Sequence, residues 1–361
     1  MKLRSEPPVG VMEGKGFYNQ YAAIPASGGA LALPLLEEAA RQISLDSSDR
    51  PIVIADYGSS QGKNSLAPMR AAIAVLRARV GAQRPIVVYH TDLPANDFST
   101  LFEVLESDPA SYLREERSVF PSAIGRSFYR PILPPSHVDL AWSSYAVVWL
   151  SRIPRQIPDH FFIPCTRGAV RAEFEHQAAL DWKTFLSLRA TELRPDGRLV
   201  VALPSLADDG TATAFETIMD HANVVLSELT IAGVITAEER QRMTLASCPR
   251  RQRDLLVPFA DHGQFQGLVV EHCATLPVAD TAWDEYQLNK DPEELARKRA
   301  RFFRAVFVPS LTQALGPGRG TKERQAFSAA LEAGLERRLA DYPMRIDHLV
   351  GIIVLAKQSA P

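Results

Sequence analysis

The sequence predicts an α/β protein built on a doubly wound, Rossmann-like sheet with an α-helical cap. Three observations carry that reading. The continuous apolar run PIVIAD, residues 51–56, is what a strand covered on both faces requires. It ends in the glycine turn YGSSQG, then comes a helical stretch and a second short apolar run, a strand–helix–strand unit. The right-handed crossover rule makes those two strands parallel.

The elements follow in order. Residues 1–16 are rich in Pro and Gly and read as a loose arm. Residues 30–43 read as a helix, with Leu31, Leu35, Leu36, Ala39 and Ile43 at helical spacing, stopped by the polar DSSDRP run. After the first strand, residues 63–80 form a helix and 85–89 a strand. Residues 97–106 are helical, 139–143 strand-like and 171–193 a long amphipathic helix. A turn at RPDG then leads into a strand at 198–203. From 208 to about 235 the pattern is helical, and 236–266 is mixed and rich in Arg and Pro. Residues 292–315 and 321–340 are helical, and LVGIIVLA at 349–356 is a strongly apolar closing strand. The expected organisation is a core over 1–205, a mainly helical cap and substrate region over 206–340 with some return to the sheet, and a core strand within 341–361.

Composition excludes several classes. At 361 residues with 46% hydrophobic and 23% charged, the chain is an ordinary globular one. A net charge of −2 provides no field for nucleic acid or an anionic membrane. The basic clusters Arg250-Arg251-Arg253 and Arg297-Lys298-Arg299-Arg301-Arg304 read as solvated faces. No run of about 18 apolar residues could span a bilayer, and no signal peptide is read at the N-terminus. The three cysteines, Cys165, Cys248 and Cys273, form neither a CxxC pair nor a disulfide framework. A cytoplasmic location is therefore expected. The eight histidines show no ligand spacing, and no metal site is expected.

Chemistry concentrates where the first strand ends. Gly58 and Gly62 let the backbone approach a ligand closely. Their G-x-x-x-G spacing is not the G-x-G-x-x-G that seats a pyrophosphate, which counts against a dinucleotide. It suits a nucleoside without phosphates, with Asp56 entering the turn to hold an amino group. Asp92, just beyond the second strand, can accept both hydroxyls of a ribose.

Four segments together resemble one family. DYGSSQGKN is similar to the cofactor turn of the salicylate, benzoate and theobromine methyltransferases, the SABATH family. TDLPANDFSTLF, GRSFYRPILPPSHVDLAWSSYAVVWLS and MEGKGFYNQYA resemble three further segments of that family, in the same order. The resemblance implies a Rossmann-like methyltransferase that binds S-adenosylmethionine, methylates a small aromatic or hydrophobic acid under a helical cap, and forms a homodimer. It implies that Asp56, Gly58, Asp92 and Leu93 bind the cofactor, with Ser127 and Phe128 flanking its adenine and Tyr21 near its methionine end. Tyr145 and Trp149 would position the substrate, and Gly28, Val148, Ile218, Met219 and Phe303 would line its pocket. The family carries a carboxylate-holding Gln where Gly28 falls, and a cofactor-touching Ser where Pro25 falls, with Ser27 close by. Trp142 stands where the family has His.

A carboxylate acceptor is already nucleophilic, so alignment and a dry pocket suffice without an acid–base pair. The absence of a Ser-His-Asp array, an HExxH motif or paired catalytic carboxylates agrees with this. N-methylation of a heterocycle and a non-catalytic nucleoside-binding homologue stay open as alternatives.

Overall fold

The computed structural model describes residues 10–46, 49–114, 118–209 and 215–359. Its strands are β1 (Ile52–Tyr57), β2 (Ile86–Asp92), β3 (Val119–Gly125), β4 (Val138–Ser144), β5 (Leu193–Ser205), β6 (Gln264–Phe265), β7 (Leu268–Val278) and β8 (His348–Lys357). Its helices begin with α1 (Phe17–Tyr21), α2 (Ala23–Ala30), α3 (Leu33–Gln42), α4 (Leu66–Val80), α5 (Phe98–Ser107) and α6 (Ala169–Glu192). They continue with α7 (Phe215–Ile231), α8 (Ala237–Arg242), α9 (Gln252–Leu256), α10 (Thr281–Asn289), α11 (Pro292–Thr312) and α12 (Thr321–Asp341).

The strands form one sheet in the order β3-β2-β1-β4-β5-β8-β7-β6. β3, β2, β1, β4 and β5 run parallel, and β8 is antiparallel to both of its neighbours. All six residues of β1 are buried because both faces of the sheet are covered. Ile52 and Ile54 pack with Leu36, Met69 and Ile73 on the α3–α4 face. Val53, Ala55 and Tyr57 pack with Trp182, Phe185 and Leu186 of α6 on the other. This alternation pins the register, since a one-residue slip would exchange the two faces. A third apolar cluster joins α7, α11 and α12 into the cap, through residues such as Met219, Phe303 and Leu331.

The strand order reverses between β1 and β4, so the carboxyl ends of β1, β2 and β4 open a crevice there. β8 starts at that same end, because Leu349 pairs with Ser205 at the close of β5. His348 is therefore carried to the mouth of the crevice.

Several elements depart from expectation. β3 has no counterpart in the sequence reading, and β7 is anticipated only as an unplaced return to the sheet within 206–340. The sequence VFPSAIG carries a proline and small polar residues, and β7 has mostly half-buried side chains. The RPDG stretch lies inside β5, where Asp196 takes φ +61° and the pairing with β4 shifts register. The arm is loose over no described residue: residues 1–9 lie outside the described set, while Glu13 is gripped by Arg304 of α11 at 2.6–3.1 Å. The basic clusters are internal clamps as much as solvated faces. Arg250 is buried and donates to the carbonyls of Val147 at 2.6 Å and Ala178 at 2.9 Å. Arg299 is buried against Asp280 at 2.7 Å. Among the described residues, no helix is long and apolar enough to cross a membrane.

Candidate active site

The crevice holds a cavity of about 580 Å³, within the range of small-molecule sites. One end is formed by the turn after β1 and the end of β2. Gly58 takes φ +92°, and a Cβ there would fall 2.1 Å from that of Ala146, so a bare backbone is required. The turn is strapped to β2 by Gly58 N and Ser59 N, which donate to Thr91 O at 2.8 and 3.1 Å. Asp92 lies half-buried in the wall. Its Oδ2 accepts from Ser60 N and its Oδ1 from Leu93 N, both at 2.7 Å. Each oxygen keeps a lone pair for a further donor. Burial pushes the Asp92 carboxyl up to about 6, against the pull of those two backbone donors. Leu93, Ser127 and Phe128 line the same end.

Phe128 is set from behind. Arg189 of α6, fully buried, donates to Phe128 O at 2.9 Å and pairs with Glu192 at 2.8 and 3.0 Å. Glu192 also accepts from Tyr57 Oη at 2.6 Å and Ile132 N at 2.8 Å. The strand β1, the helix α6 and the loop bearing Phe128 thus meet at one buried ion pair.

The other end is apolar and comes from the cap and the segment after β4. Val148 and Trp149 line it with Met12, Ile24, Phe162, Phe215, Phe302, Val306 and Phe307. The Trp149 indole N–H has no hydrogen-bond partner among the described residues, while its backbone carbonyl accepts from Tyr129 Oη at 2.6 Å. Tyr145 lies between the two ends in the left-handed region, φ +58°, rare for a bulky residue and costing about 1–3 kcal/mol. Its amide donates to Ala202 O at 2.7 Å, which helps to hold that conformation.

Of the residues read from sequence, Gly58, Asp92, Leu93, Ser127, Phe128, Tyr145, Val148 and Trp149 come together in this cavity. Others stand off it. Asp56 is buried behind the turn, where its Oδ2 accepts from Ser65 Oγ at 2.5 Å and faces His90 Nδ1 at 3.1 Å. His90 Nε2 in turn meets Tyr112 Oη at 2.8 Å. Tyr21 is turned to α11, where Arg301 donates to its hydroxyl at 3.1 Å. Tyr18, one turn earlier, lines the cavity in its stead. Ile218, Met219 and Phe303 are buried in the cap core, with Phe303 edge-on to Phe161. Phe215 lies about one turn before Met219 and lines the cavity, as Phe302 does beside Phe303. Gly28 lies beneath Tyr145, Pro25 lines the wall while Ser27 does not, and Trp142 is a core residue.

His348 also lines the cavity and was not singled out. Burial lowers it to about 4, so its ring is neutral. A histidine opening an otherwise apolar strand was the available signal.

The described residues bring one set of metal-type ligands together, His160, Cys165 and Asp220. His160 Nδ1 accepts from Phe161 N and Phe162 N, each at 2.9 Å, so Nε2 carries the proton that faces Asp220 at 3.2 Å. A metal at Nε2 would have to displace that proton.

The arrangement fits a nucleoside cofactor. A carboxylate at the end of β2 has free lone pairs for vicinal hydroxyls, and an apolar and aromatic pair stands beside it. The turn lacks the glycine pattern for phosphates. Comparison with known proteins points the same way. The sequence pattern of the SAM dependent carboxyl methyltransferases matches residues 11–350. The O-methyltransferase acrG of Aspergillus aculeatus is 30% identical over 346 residues, covering 90% of each chain. The methyltransferase LUC1 of a Fusarium species is 33% identical over 208 residues, 55% of this chain. The match spans about half the length of LUC1 and of a FUS9 methyltransferase, 53% of each. Gibberellic acid methyltransferase 1 of Arabidopsis thaliana is 26% identical over 81% of this chain and 83% of its own. In fold, the chain is similar to a loganic acid methyltransferase solved with SAH. The TM-score is 0.78 at 20% identity, covering 96% of this chain and 99% of that one.

Proposed function

Because the chain belongs to the S-adenosylmethionine-dependent carboxyl methyltransferase family, we propose that it transfers the methyl group of that cofactor to the carboxylate of a small hydrophobic acid. The observation that carries this reading is the shared cavity. Asp92, Leu93 and Phe128 stand at one end, and Trp149, with its unpartnered indole N–H, stands among apolar side chains at the other. Asp92 would accept from the ribose hydroxyls, and Leu93, Ser127 and Phe128 would enclose the adenine. When bound, S-adenosylmethionine supplies an electrophilic methyl group on a sulfonium. Trp149 donates to one carboxylate oxygen of the acid, and Tyr145 sets its other side. The walls from Ile24, Val148, Phe302 and Val306 exclude water and take the hydrophobic body of the acid. Ionised at neutral pH, the acceptor needs no proton removed, so orientation and desolvation are the contributions asked of the protein.

We take residues 1–205 with the closing strand as the cofactor core and 206–340 as a mainly helical cap and substrate region that returns to the sheet through β6 and β7. The free thiols of Cys165, Cys248 and Cys273 support a cytoplasmic setting, and a homodimer is the expected assembly, open to gel filtration.

The test is transfer of tritium from methyl-labelled S-adenosylmethionine to benzoate, salicylate, indole-3-acetate, gibberellic acid and dodecanoate, with xanthine as a heterocycle. Base-labile product from at least one acid is expected. A folded protein that labels none of the acids would sink the proposal, and base-stable product from xanthine alone would replace it with N-methylation.

A further inference from the structure

The carboxyl methyltransfer proposed above leaves one oxygen of the acid to be gripped by something other than Trp149. Gly28 bears no side chain that could do so. The space over Gly28 is filled by Tyr145: a Cβ on Gly28 would lie 1.9 Å from Tyr145 Oη and 2.6 Å from its Cζ. Glycine at 28 is therefore what admits the Tyr145 hydroxyl. That hydroxyl meets His348 Nε2 at 2.8 Å, the one side-chain hydrogen bond either residue makes among the described residues. The His348 ring also packs between Tyr145, at 5.6 Å, and Phe215 of the cap wall, at 6.0 Å.

We propose that His348 is a positioning residue that turns the Tyr145 hydroxyl proton toward the acceptor carboxylate, so that Tyr145 and His348 together supply the grip Gly28 cannot. The inference rests on the carboxyl methyltransfer reading. A phenol between a carboxylate and an imidazole has one proton to give. The carboxylate is the stronger acceptor, so the proton goes there, and the phenol oxygen accepts from Nε2–H. His348 is then the Nε2–H tautomer. Its neutrality suits the role, since a charged ring would stand beside a sulfonium.

The test uses whichever of the five acids gives the highest kcat/KM. His348→Phe is expected to lower kcat/KM about 10- to 100-fold, the range for one hydrogen bond to a charged group. The loss should fall mainly in acid binding, read by calorimetry on the S-adenosylhomocysteine complex, with cofactor affinity unchanged. His348→Gln, whose amide can still donate, should recover most of the loss. Tyr145→Phe should lose as much as the Tyr145→Phe/His348→Phe double variant, because His348 acts only through the hydroxyl. Nitrogen-15 spectra of the complex with acid and S-adenosylhomocysteine should show the Nε2–H tautomer. A kcat/KM of His348→Phe within twofold of wild type, additive losses in the double variant, or an Nδ1–H tautomer would each overturn this inference alone. Failure of the wild-type protein to methylate any acid would overturn the carboxyl methyltransfer reading and this inference with it.

Discussion

Gly28→Ala adds one methyl group at a point where the fold has room in the helix and none above it. Gly28 lies inside α2, where alanine is favoured over glycine by about 1 kcal/mol. The added Cβ would fall 1.9 Å from Tyr145 Oη, so the ring has to withdraw by roughly 1.5 Å to reach ordinary contact. That movement breaks the 2.8 Å bond to His348, a loss of about 1 kcal/mol. The helix gain offsets that loss, but moving the packed ring costs a further ~1–3 kcal/mol, so the melting temperature is expected to fall by about 1–4 °C with the protein still folded. Activity has no such compensation. With the hydroxyl displaced, kcat/KM should fall about 10- to 100-fold while S-adenosylhomocysteine binds as in wild type. Steady-state kinetics, a thermal melt and calorimetry on one preparation decide it. Unchanged kcat/KM in a folded Gly28→Ala protein would show that the hydroxyl plays no part in holding the acid.

Four further outcomes are expected. Asp92→Asn replaces one acceptor by a donor and should weaken cofactor binding about 10- to 150-fold by calorimetry; a change under threefold would misplace the ribose. In the wild type the Asp92 carboxyl is held up at about 6, so its stabilising contribution is present at low pH and lost as pH rises through about 6. Cofactor binding runs the opposite way, because it needs the carboxylate: affinity should fall as pH drops from 7.5 to 5, and Asp92→Asn should flatten that profile. Trp149→Phe removes the unpartnered indole donor and should lower kcat/KM about 10- to 150-fold without altering cofactor affinity; equal turnover would mean that the N–H does not touch the acid. Glu192→Ala strands Arg189 as a buried unpaired cation and should cost about 3–5 kcal/mol in denaturant unfolding, a loss under 1 kcal/mol contradicting the clamp on Phe128.

Strands of the sheet were legible where both of their faces are buried: the runs within β1 and β8 are continuous and apolar, whereas β3 and β7, mostly half-buried, have no distinctive pattern. Most motif residues near strand ends were equally legible: Gly58, Asp92, Tyr145 and Trp149 share the cavity, whereas Asp56 is turned behind it to Ser65 and His90. Helix faces in the cap were not. Phe302 and Phe303 are adjacent in sequence, and which of them meets the cavity is set by how α11 packs on Phe161 and α12. Tyr18 and Tyr21 differ in the same way on α1. Spacing placed Asp92 at the end of β2 but not its two backbone partners, which tie it into the turn. His348 enters from a strand more than 200 residues after Tyr145, a juxtaposition no local pattern carries.

The central claim is that the acceptor is a carboxylate oxygen. Incubation with S-adenosylmethionine carrying a carbon-13 methyl group, followed by carbon NMR of the product, tests it most directly. A methoxy signal from a methyl ester, lost to methanol on mild alkaline treatment, is the predicted result. An alkali-stable N-methyl signal, or label that stays in the cofactor in a folded protein that binds it, would contradict the account.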